Sequence, residues 1–140
     1  MPAQPITACD CEECQEVRAN LGELRWNQIL PAAIDKHFGS LPLLTDESFE
    51  ALLPAFLFRA LGEIDPDNKF LEWTLYALCG AYEKDEATIE AVDTERRKRI
   101  ARFTEPQRAS VRAFLGLVKA EPSLAFHHEP IAHALATIWA

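Results

Sequence analysis

Three of the chain's four cysteines, Cys9, Cys11 and Cys14, fall within the six-residue run CDCEEC, and the fourth, Cys79, stands alone far downstream. The C-x-C-x-x-C spacing brings three thiolates close enough to hold one soft ion, zinc or cuprous copper. A closed structural zinc site needs a fourth ligand. Cys79, His37, His127, His128 and His133 are the candidates. Cys79 reads as part of a buried helix, whereas His127 and His128 sit at a turn that is easier to reach. Asp10, Glu12 and Glu13 crowd the thiols with negative charge, which raises a thiol pKa without metal and is offset by a bound dication. An iron–sulfur cluster would consume every cysteine in the chain and is set aside.

Two other readings of the run stand beside metal binding. Cys11 and Cys14 form a C-x-x-C pair at a helix start, where the helix dipole would lower the Cys11 pKa and favour thiol redox chemistry. The two glutamates between them oppose that effect, and no βαβ pattern accompanies the pair. In the plainest reading, the acids only favour the first turn of a helix and the thiols are incidental. Metal binding and this plain reading stand level, and redox chemistry trails both.

The remaining polar clusters read as surface. HHEP, residues 127–130, with His133 places Glu129 and His133 at i, i+4, the spacing of a helix-surface contact. ERRKR, residues 95–99, is matched by Asp93 four before Arg97 and Glu95 four before Arg99, so ion pairs on a solvated face account for it. DPDN, residues 65–68, lacks the calcium-loop pattern and reads as a turn and cap. There is no H-E-x-x-H, no G-x-S-x-G and no glycine-rich phosphate loop, with five glycines in all.

The elements that must position these residues are helices almost throughout. Val17, Leu21 and Leu24 share one side of a helix over 12–24, and Trp26, Ile29, Leu30, Ala33, Ile34 and Phe38 form a stripe over 26–38. Pro31 would start or kink that second helix, and Gly39 would end it. Thr45 caps a third helix carrying Phe49, Leu52, Leu53, Phe56, Leu57 and Leu61, with a kink or break at Pro54 near residue 53. Asp67 or Asn68 caps a nearly all-apolar helix over 69–82. An exposed, charged helix follows, irregular up to about Thr88, with a thin line of Ile89, Val92, Arg96, Ile100 and Phe103. FTEPQ gives a capping box from Thr104 and Gln107, and the helix beyond it buries Val111, Phe114, Leu115 and Val118. A last helix opens at His128 or Glu129 and packs Ile131, Leu135, Ile138 and Trp139. Trp26, Trp73 and Trp139 all lie on apolar stripes and read as core. The fold class is all-α, one compact domain over 1–140 with six or seven helices: a short cysteine-rich extension over 1–11 and a helical core over 12–140.

Two stretches carry a resemblance. The first runs through Leu44, Thr45, Phe49, Leu53, Pro54, Ala55, Phe56 and Leu57, and the second through Phe103, Thr104, Gln107, Val111, Phe114 and Leu115. Together they resemble an uncharacterised bacterial family of small helical proteins, a domain of unknown function, over residues 41–118. The resemblance implies a helical fold and brings no activity or catalytic residues; CDCEEC lies outside it.

Composition bounds the rest. A chain of 140 residues is long enough to bury a core without staples. Its net charge of -8 disfavours long-range attraction to phosphate backbones or anionic lipid. No apolar run approaches the roughly 18 residues of a membrane span, and the start lacks a signal-peptide pattern, so the expected compartment is the cytoplasm. The leading expectation is a non-enzymatic helical interaction module with a protein partner, of accessory, adaptor or immunity type, with neither membrane nor nucleic acid as its target. The alternative is a zinc-binding protein, structural or sensing, using Cys9, Cys11 and Cys14 with Cys79 or His128. The third is a thiol redox protein.

Overall fold

Thr45 starts the helix around which the chain is arranged. Its hydroxyl accepts from the Ser48 N–H at 3.3 Å, and Asp46 and Glu47 place negative charge in the first turn. The computed structural model describes residues 6–22, 25–80, 82 and 85–140. Among them are α1 (Glu12–Leu21), α2 (Pro31–Asp35), α3 (Asp46–Leu61), α4 (Lys69–Leu78), α5 (Glu86–Arg99), α6 (Glu105–Lys119) and α7 (Ala125–Thr137). Short 3₁₀ turns occupy Trp26–Gln28, Leu41–Leu43 and Pro122–Leu124. Thr7 and Leu44 make an isolated antiparallel bridge, and the described residues hold no strand, so the fold is all-α. Leu24, Glu83 and Lys84 lie outside the described residues. None of the described helices is long and apolar enough to cross a membrane.

The buried face of α3 comprises Phe49, Leu52, Leu53, Phe56 and Ala60. It meets α2, α4 and the Leu41–Leu43 turn, and Phe56 stacks on Phe70 of α4 at 5.5 Å between ring centres. The helix continues past Pro54, so the break that was one expectation there does not occur. A proline inside a helix costs about 3 kcal/mol. Burying each large apolar side chain returns about 1.5–3 kcal/mol, so the four on either side of Pro54 outweigh it.

The expected helix over 26–38 is the largest departure. Pro31 is the first residue of α2 and forces Leu30 into an extended conformation, with φ -71° and ψ 145°. The stripe is therefore cut in two, and only Ile34 of it is fully buried. Trp26 and Trp73 are 45% and 42% exposed, against the expectation that all three tryptophans are core; Trp139 is buried. The helix expected over 69–82 stops at Leu78, whose carbonyl accepts from the Trp139 indole N–H at 2.9 Å. Asn68 caps its start through bonds from the Phe70 and Leu71 N–H groups. Helix α7 begins at Ala125, ahead of His128, because the Pro122–Leu124 turn feeds straight into it.

The capping box at Thr104 and Gln107 forms, and α6 buries the four residues its spacing indicated. On α5 the acid–base pairing differs from the i, i+4 scheme. Asp93 is buried, 1% exposed, and accepts from His133 Nε2 of α7 at 2.6 Å. Arg97 pairs with Glu90, and Arg99 reaches the carbonyls of Pro42 and Leu44 while lying over the Phe49 ring. Gly80 passes so close to α5 that a Cβ there would lie 2.9 Å from Asp93 Oδ1 and from Val92 Cγ1.

Among the described residues Asp93 has no other hydrogen-bond partner, so His133→Ala leaves a buried carboxyl group without that bond. The expected loss is about 1–3 kcal/mol, read as a lower Tm in thermal unfolding, with Asp93→Asn costing less because its amide can still bond. A Tm unchanged in His133→Ala would show that this pair does not hold α5 to α7.

Candidate metal centre

The segment before α1 is tied down at both ends. Thr45 N–H donates to the Ile6 carbonyl at 2.9 Å and Ala8 N–H to the Leu43 carbonyl at 3.4 Å. Ile6 and Thr7 are buried, so residues 6–11, read from sequence as an extension, are anchored against the start of α3. From the other side, Arg18 reaches back from α1. Its guanidinium donates to the Asp10 carboxylate at 2.6 Å, the Cys9 carbonyl at 2.6 Å and the Thr7 carbonyl at 3.2 Å. The Gln15 side chain adds a bond to the Asp10 carbonyl at 2.8 Å.

This folding-back brings the thiols together. Cys11 is the N-cap of α1 and Cys14 lies in its first turn, while Cys9 hangs over them from the loop. Cys9 Sγ lies 2.9 Å from Cys11 Sγ and 2.7 Å from Cys14 Sγ, and the three sulfurs all fall within 4.8 Å of one another. Cys14 is buried and the other two are exposed. Zinc–sulfur bonds of about 2.3 Å set tetrahedral thiolates about 3.8 Å apart, so a modest spreading of the sulfurs as their protons leave would admit an ion.

Hydrogen bonding polarises the cluster. Bonds from the Cys11 and Cys14 thiols hold the Cys9 thiol below the ordinary cysteine range, and Arg18 acts in the same direction. Cys14, donating to Cys9 and removed from water, is pushed up to about 12. The thiol held low is thus Cys9, outside the C-x-x-C pair on which the redox reading was built.

The proposed fourth ligands stand elsewhere. Cys79 is buried just past α4, beside a cavity of about 310 Å³ that it shares with Tyr76, Gly80, Tyr82, Val92 and Arg96. Burial pushes its thiol up to about 12. His128 Nε2 meets the Glu121 carbonyl at 2.9 Å, His127 Nδ1 the Tyr82 hydroxyl at 2.8 Å and His37 Nε2 the Asn20 amide at 3.0 Å. With His133 on Asp93, every histidine has a protein partner. Sequence reasoning found the three thiols but missed Arg18 and Gln15, which fix the loop. Their signal is only that a long amide and a long basic side chain follow Cys11 by one and two helical turns.

In metal-free, reduced protein, Cys9 should be the first thiol alkylated by iodoacetamide, with a midpoint below the ordinary value of about 8.5. Arg18→Ala should raise that midpoint. Peptide mapping that finds Cys14 labelled first would contradict the hydrogen-bond pattern.

A family model described as a family of unknown function, DUF6714, matches residues 8–140. The match takes in the cysteine run, which lay outside the stretches of sequence resemblance. No curated protein and no solved structure matches the chain.

Proposed function

We propose that this chain, which belongs to the family of unknown function DUF6714, binds a soft metal ion through Cys9, Cys11 and Cys14. The observation that carries this reading is the convergence of three sulfurs within 4.8 Å of one another. Thiolates are the ligands that select zinc and cuprous copper over hard cations. Arg18 and Gln15 hold the loop through their own hydrogen bonds. Asp10, Glu12 and Glu13 add negative potential that favours a cation.

Protein purified without chelator under reducing conditions should carry one equivalent of metal by elemental analysis. Replacing Cys9, Cys11 and Cys14 together by Ser should abolish it. Stoichiometric metal that survives the triple substitution, or none in the native chain even after loading with zinc or copper, would sink the reading.

A second reading, a protein-interaction module, is favoured by a different observation. Leu30 and Phe58 are 71% and 76% exposed beside a groove of about 450 Å³ lined by Trp26, Ile29, Pro31, Ile34 and Ala55. Large apolar residues gathered around one depression are the usual mark of a docking surface. Leu30→Asp with Phe58→Asp removes that character without touching the core. A partner recovered with the native chain from its source cells should be lost with the double variant; recovery unchanged would exclude this face.

A further inference from the structure

Three thiolates leave a zinc ion one donor short. Structural zinc sites are closed by four protein ligands, and a site offering three keeps a position for water or another group. Among the described residues, the donor atoms lying within 4.8 Å of one another are the three sulfurs, with no carboxylate or imidazole in the set. Of the three acids adjoining the thiols, Asp10 turns its Oδ1 to Arg18, and Glu12 and Glu13 are not in the set. The four histidines are held by Asn20, Tyr82, Glu121 and Asp93. Cys79 is enclosed at the far end of α4, with Arg96 the cation beside it. As the chain is folded, none of these donors joins the three sulfurs in the set.

Resting on the metal-binding reading above, we infer that the site is built for a soft monovalent ion satisfied by three thiolates, cuprous copper, rather than for zinc closed by a fourth residue of the chain. Softness alone leaves both ions eligible; three thiolates suffice for a cuprous ion, whereas zinc would have to take its fourth ligand from solvent. Three thiolates around a monovalent cation leave two negative charges, one more than around zinc. Asp10, Glu12 and Glu13 add to that excess, and the site offsets part of it. Cys11 and Cys14 lie at the positive N-terminal end of α1, and the Arg18 guanidinium stands against the Cys9 carbonyl. Cys9 and Cys11 are exposed, so the ion would sit at the surface with one side open to exchange with an incoming thiol.

The full chain, reduced and stripped of metal, is titrated anaerobically with Cu(I) delivered from its bicinchoninate complex, and separately with Zn(II). Expected are one Cu(I) per chain with three sulfurs and no nitrogen or oxygen in its first shell by X-ray absorption. Zinc should bind more weakly, with one oxygen beside three sulfurs, and its shell should not change in Cys79→Ser or His128→Ala. Cys9→Ser and Cys11→Ser, both at exposed positions, should each lower Cu(I) affinity by about 100-fold or more, at or beyond the 10–100-fold typical of outer partners. A zinc shell completed by a protein donor and lost in Cys79→Ser or His128→Ala overturns the inference while leaving metal binding intact. Copper bound as a multinuclear cluster overturns it in the same way. Binding of neither ion to the three cysteines overturns both.

Discussion

The burial of one face of α3 is the constraint from which the rest follows. Phe49, Leu52, Leu53 and Phe56 must leave water together, and α2, α4 and the Leu41–Leu43 turn are the surfaces that receive them or adjoin them. Fixing α3 fixes its cap, Thr45, and the backbone of Thr45 is also the donor that holds Ile6. The thiol loop therefore hangs from the same few atoms that start the central helix. A change that frayed the start of α3 would loosen Cys9 without touching it. The fold and the candidate site are thus linked through backbone hydrogen bonds as well as through the burial of Ile6 in the core.

Arginine side chains close the joints that helices cannot. Arg18 ties the loop to α1, Arg99 ties the end of α5 to the carbonyls before α3, and Arg96 reaches the Tyr76 carbonyl at the end of α4. Each guanidinium meets backbone oxygens that no amide reaches. Arg99 also lies 4.3 Å from the centre of the Phe49 ring, so its charge rests on an aromatic face as well. An exposed ion pair contributes at most about 1 kcal/mol, whereas a charged donor on an otherwise unsatisfied carbonyl contributes about 1.5–3 kcal/mol. These internal contacts, rather than the pairs of Lys69 with Glu72 or Lys98 with Glu95, are what the basic residues supply to stability.

How much of this was legible follows from the range over which each signal acts. Caps were readable because a cap is a matter of three or four neighbouring residues: Thr45, Asn68 and the Thr104–Gln107 box all form. The buried face of α6 was readable for the same reason, since a helix repeats its own geometry. The second helix misled because a periodic stripe says nothing of continuity, and Pro31 decides that through its effect on Leu30. Trp26 and Trp73 lie on stripes without being covered, since spacing indicates a face but not whether another element is near it. Asp93 was the hardest to read. Four residues before Arg97 it looks like half of a surface pair, yet its partner is His133, forty positions away and visible only once α7 lies across α5. The three thiols were found because their spacing alone brings them close, whereas the committed state of the histidines is a product of tertiary structure.

The acidic run around the thiols, which weakens a redox role, is consistent with metal binding once protons are counted. The bond to Cys9 and removal from water keep Cys14 protonated well above neutral pH. A metal ion bound as proposed would replace that proton by a direct bond to sulfur and release it to solvent. Proton release of this kind makes affinity rise with pH. Arg18 and the α1 N-terminus limit the repulsion among the three sulfurs.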